Sequence, residues 1–199
     1  MKKILILIAF AVISANTFCQ AISDNAVIPV SITLNPILRL NIVSGGNIEF
    51  VINTIDQYTN GIANSDRYDT KFTVASSRDF NVTLQSEDAT FIGTDDATHT
   101  LALNNLGYLI SEDGSGAEGT NWNFNASGTD DPAVVTNGAV AIITSISNNG
   151  AGDVTQNSFT INWELGTSNG ANMNANSLLQ QSIAPDRYTT NIFLNLIAQ

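Results

Sequence analysis

Two stretches of this chain keep a period of two, one near each end, and that pattern restricts the fold more than any other feature. In the last twelve residues, Arg187 to Ala198, the even positions are Tyr188, Thr190, Ile192, Leu194, Leu196 and Ala198. Asn191 and Asn195 interleave with them, beside Phe193 and Ile197. From Ala26 to Ile42 the even positions are again mostly apolar, with Ser31, Thr33, Asn35, Arg39 and Asn41 between them. Successive side chains on a strand point to opposite faces, so both stretches read as strands with one apolar face. The first is too long for one strand. Residues 26 to 43 at about 3.3 Å each would span roughly 60 Å, about three times the usual length. Asn35-Pro36 is the predicted break, because proline cannot donate to a ladder. Pro29 marks the first half, Ala26 to Leu34, as an edge strand or one added late.

The chain between these ends reads the same way. Strands are predicted over Ile48–Ile55, Arg67–Ala75, Phe80–Ser86, Ala89–Ile92, His99–Ser111 and Ser158–Leu165, and around Trp122 and Phe124. Val134–Ile146 is one bent strand or two. Gly45-Gly46-Asn47, Ser76-Ser77-Arg78-Asp79, Gly128 to Pro132 and Ser147 to Asp153 supply turns. No segment shows a helical period. Roughly ten short strands with frequent turns predict an all-β sandwich or barrel of mostly antiparallel sheet, in a single domain over 21–199.

Composition agrees. Hydrophobic residues make up 43% of the 199, too many for a disordered chain, and charged residues only 13%. Residues 1–20 are read as a signal peptide: Lys2 and Lys3, then the apolar run Ile4 to Ile13, too short to span a bilayer. The protein is therefore expected in the periplasm, on the cell surface or outside the cell, and the short basic start has a bacterial look. Cys19, the only cysteine, either leaves with the signal or is lipidated, and in both cases no disulfide is available. Without Lys2 and Lys3, five basic residues face 18 acidic ones, which argues against nucleic acid and anionic membrane surfaces as partners. No later segment is long and apolar enough to be transmembrane.

Residues that could carry chemistry are sparse. His99 is the only histidine, no Gly-x-Ser-x-Gly elbow is present, and zinc has too few ligands. The chain is expected not to be an enzyme, with no catalytic residue, cofactor or metal. The carboxylate pairs Asp95-Asp96, Glu112-Asp113 and Asp130-Asp131 leave calcium open, although Asp113 to Glu118 lacks the alternation of an EF-hand loop. Trp163 shares a face with Phe159 and Ile161 and is expected in the core. Trp122, beside asparagines, is the candidate for stacking on a sugar.

An alternating N-terminal segment, Tyr108-Leu-Ile-Ser-Glu-Asp-Gly114 with a tryptophan downstream, and a last strand Tyr188-Thr-x-x-Ile-x-Leu-x-Leu196 together resemble the spore coat protein U and chaperone–usher pilin superfamily. That resemblance implies an immunoglobulin-like sandwich and a structural or adhesive surface subunit. It implies partners that are copies of itself or related subunits, and a periplasmic chaperone. It further implies a subunit lacking one strand, whose groove takes an N-terminal segment from the next subunit by strand addition. The residues matching the donor are Ile28, Val30, Ile32 and Leu34, and those matching the groove wall are Ile192, Leu194 and Leu196. Ala26 to Leu34 can instead complete its own domain. A monomeric carbohydrate-binding or adhesin module is the alternative function.

Overall fold

The computed structural model describes residues 25–63, 65–127 and 131–199. The predicted signal peptide and Cys19 lie outside the described residues, as does Asp130. The fold is all-β and sandwich-like, and every strand pairing is antiparallel. Twelve strands are described, two more than the ten or so expected.

The first sheet has five strands in the order β1 (Leu38–Ser44), β2 (Asp69–Ser76), β10 (Ser158–Leu165), β6 (Leu106–Glu112) and β8 (Ala133–Val134). The second has four, in the order β12 (Ile192–Ala198), β3 (Phe80–Ser86), β9 (Val140–Ser145) and β7 (Trp122–Phe124). A small third sheet joins β11 (Tyr188–Thr189), β4 (Thr90–Gly93) and β5 (Thr100–Ala102).

The core follows from the alternation. Phe72 and Val74 on β2 are fully buried, as are Phe80 and Val82 on β3, while Leu84 is nearly so. Phe159 and Ile161 on β10, Ile142 and Ile143 on β9, and Trp122 on β7 complete the layer. Phe72 lies tilted on Phe159, and Trp122 meets Phe159 edge to face, with ring centroids 5.3 and 4.8 Å apart. Trp163, expected in the core, is buried and donates Nε1–H to Thr70 Oγ1 at 2.9 Å.

Four strand expectations need correction, the first being His99–Ser111, which divides into β5 and β6 in different sheets around a 3-10 turn over Leu103–Asn105. The Ile48–Ile55 segment joins no sheet, and a six-residue helix, α1 (Ile55–Asn60), begins where that strand was to end. A capping box made by Thr54 and Gln57 sets its start, a local signal that a search for helical period over longer windows passes by. The last strand is two: β11 pairs with β4, and two residues later β12 pairs with β3. Ala26–Leu34 forms no strand.

The terminal strands occupy outer edges of the two large sheets. Among the described residues β1 is paired only to β2 and β12 only to β3. Both approach one corner. Ile37, just before β1, accepts from the Ser77 N–H and donates its own N–H to Ser77 Oγ, whereas Gln199, just after β12, donates to the Asp79 carbonyl at 2.9 Å. Asn35–Gln199 form one compact unit, of which residues 25–34 are not a part.

Candidate functional site

The inner faces of the two edge strands are poorly covered. On the central strand β3, Phe80, Val82, Leu84 and Ser86 are all buried. On β12 the corresponding Ile192, Leu194 and Leu196 are only half-buried, and on β1 Leu40 is half-buried while Ile42 is exposed. Well-packed interiors leave few such faces open. Here they flank a cleft of about 950 Å³.

Leu40, Ile42 and the segment Gly45–Ile52 line one side of the cleft, and the run Ile183–Leu194 lines the other. Ile161, Trp163, Leu106 and Leu84 reach it from the sandwich. Of the predicted wall, Ile192 and Leu194 line the cleft. Leu196 continues the same half-buried face of β12 towards the corner, opposite Val82, beyond the residues that line the cleft.

Beside the cleft β12 offers an outer edge, from Ile192 to Ala198, that is unpaired among the described residues. A row of free backbone N–H and C=O groups is a template for another strand. The predicted donor residues lie outside any ladder and are open to solvent: Ile28, Val30, Ile32 and Leu34 are 80, 80, 81 and 89% exposed.

The rim is fixed by one carboxylate. Asp186 has a side chain with no exposed surface, and it accepts from four backbone N–H groups. Thr94 and Asp95 donate to Oδ1 at 3.1 and 3.0 Å, Asp96 to Oδ2 at 3.2 Å, and Arg187 to Oδ1 at 2.6 Å. His99 Nδ1 sits 2.9 Å from Oδ2 and donates, since a carboxylate only accepts. The Asp95 N–H foremost, then His99 and the Asp96 and Arg187 amides, hold this carboxyl down at about 2, against burial, which raises it. Gly93 leaves the room: a Cβ there would overlap Asp186 Oδ2.

The other singled-out residues fall elsewhere. The two ring nitrogens of His99 face Asp186 and Asp96, the latter at 3.8 Å, and neither faces a hydroxyl nucleophile. Asp113 is engaged by Lys71 at 3.2 Å and by the Thr160 hydroxyl, so a basic side chain of the protein already sits there. Asp96 accepts from Thr98. Among the described residues no three His, Cys, Asp or Glu side chains converge as metal ligands, and no helix is long and apolar enough to cross a membrane. Trp122 is corrected: its ring is fully buried between Phe124 and Phe159, leaving no face for a sugar.

Sequence reasoning passed over Asp186, taken only as part of a turn with Pro185, and Glu49, whose carboxylate meets Arg187 at 3.5 Å. A carboxylate just before a strand is an ordinary turn signal, and no pattern marks the loop 94–96 that encloses this one. Comparison with known proteins matches the chain to no family model and to no curated relative.

Proposed function

We propose that this chain is a non-enzymatic, exported structural or adhesive surface subunit that assembles by strand addition. The apolar segment Ala26–Leu34 of one copy enters the cleft of the next and pairs with the free edge of β12. The observation that carries this reading is complementarity within one sequence. An apolar cleft lies beside an edge strand unpaired among the described residues, and the same chain holds an alternating segment with its apolar side chains exposed. Burying four aliphatic side chains yields roughly 1.5–3 kcal/mol each before the entropy of association is subtracted. A volume near 950 Å³ also suits a small molecule. The free backbone edge favours an extended chain, because only backbone satisfies a row of backbone donors and acceptors.

Exchange between copies fits the geometry better than self-completion. Ile37 is already tied to Ser77, so a chain filling its own cleft has only Asn35-Pro36 in which to reverse. A segment lent to another copy needs no reversal. Before assembly, such a cleft calls for a covering partner, the role of a periplasmic chaperone. The monomeric sugar-binding alternative loses its anchor with Trp122 in the core.

The test is the native mass of the chain with and without residues 21–34. A concentration-dependent ladder of oligomers that collapses to a folded monomer on truncation supports strand exchange. A monomer at all concentrations, which unfolds on truncation, contradicts it and makes the segment the domain's own strand.

A further inference from the structure

One part of the cleft wall alternates like a strand and belongs to no sheet. From Asn47 to Asn53 burial alternates residue by residue, with Ile48, Phe50 and Ile52 half-buried against the core and Glu49 and Val51 exposed. No backbone hydrogen bond ties Asn47–Ile52 to any described segment. Side chains alone hold it: Phe50 stacks on Tyr68 with centroids 4.2 Å apart, and Glu49 reaches Arg187 on the opposite wall.

The two ends, in contrast, are anchored. Gly45 has φ +68°, and a Cβ there would overlap the Asp69 carbonyl, so this turn requires glycine. Its own carbonyl accepts from Thr70 Oγ1 at 2.7 Å. At the other end Thr54 caps α1, whose Tyr58 carbonyl accepts from the Leu179 N–H at 3.0 Å. A segment with fixed ends and no ladder in its middle opens at low cost.

We infer that residues 47–53 are a strap across the cleft, fastened by Glu49 to Arg187 and released when an apolar segment enters. This rests on the docking reading above. The strap half-covers apolar surface in the free subunit, and its one fastening across the cleft is an exposed ion pair, with side chains 58 and 67% exposed. Such a pair weighs a factor of roughly 1.5 to 5 in an equilibrium and is weakened by salt. The incoming segment carries no charge from Asn25 to Asn35, so salt acts on the strap and not on long-range attraction to the segment.

The experiment follows association of a fluorescent peptide of residues 25–35 with the full chain, by stopped flow, at low and high salt. Glu49→Gln and Arg187→Gln each speed association about 1.5- to 5-fold at low salt, and the double variant is no faster than either alone. Wild type speeds up with salt, whereas Glu49→Gln does not. Equal or slower rates in the variants, or the same salt response in Glu49→Gln as in wild type, overturn the strap and leave the docking reading standing. A peptide that binds no variant overturns the docking reading, and the strap with it.

Discussion

Asp186 Oδ2 and His99 Nδ1 lie 2.9 Å apart, and this contact joins the loop over residues 94–99 to the turn that opens β11. Because Arg187 and Tyr188 follow directly and line the cleft, the position of the rim depends on how firmly Asp186 is held. Four N–H groups and one imidazole converge on a single carboxylate, and all of them favour its charged form.

Asp186→Asn is therefore predicted to lower the urea midpoint at pH 7, since an amide presents donors where the site already supplies donors. The carboxyl is depressed to about 2 in the folded chain from an ordinary value near 3.8. Its contribution is then complete above about pH 4 and is lost as pH falls through 2. The gap between wild type and variant should close over that window. A gap that is constant from pH 7 to pH 2 would show that charge at Asp186 is not what holds the rim. Gly93→Ala, which drives a methyl group against the carboxylate, should lower the midpoint as well.

Glu164 gives the opposite sign. The residue is buried on β10; among the described residues Oε1 has no hydrogen-bond partner and Oε2 accepts from Asn169 Nδ2 at 3.4 Å. Burial pushes its carboxyl up, against the opposing pull of the neighbouring Thr167 hydroxyl and Asn169 amide. A raised folded value means that stability is full below the unfolded value, near 4.5, and is lost as pH rises through the folded one. Glu164→Gln should thus match wild type near pH 4 and exceed it in thermal midpoint at pH 8. Equal midpoints at pH 8 would mean that the charged form is solvated after all.

The buried position of Trp122 makes a different prediction from a ligand-stacking one. Trp122→Ala should cost about 3–5 kcal/mol in urea unfolding, the range for emptying a large aromatic site. Trp122→Phe should cost less than ring size alone implies, because it also removes an Nε1–H that has no partner among the described residues. A Trp122→Ala chain of unchanged stability that fails to bind a glycan would return the residue to a surface role.

Much of the fold was legible from side-chain alternation. Phe72, Val74, Val82 and Leu84 read as one-sided runs and are buried where the two sheets face each other. The misreadings share a cause: alternation reports a half-buried face, not a hydrogen-bonded ladder. Ile48–Ile52 has the alternation without the ladder, and its neighbour α1 is too short to show a period and is set by Thr54 and Gln57 instead. The final strand divides at Thr190-Asn191 because those side chains turn to Ser86, Asp88 and Glu87, long-range partners that no local pattern announces. Of the cleft, Ile192 and Leu194 were legible as apolar wall. The rim built by Asp186, His99 and the loop over residues 94–96 was not, since it joins positions about ninety residues apart.

The most direct test of strand exchange mixes two crippled chains. Ile32→Asp puts a charge on the donated segment and leaves the cleft intact, while Leu194→Arg blocks the cleft and leaves the segment intact. Each chain should run alone as a folded monomer in light scattering. Mixed, they should give a one-to-one dimer and nothing larger, because only one productive pairing remains. Two chains that stay monomeric when mixed, beside a wild type that still forms oligomers, would contradict assembly through this segment and this cleft.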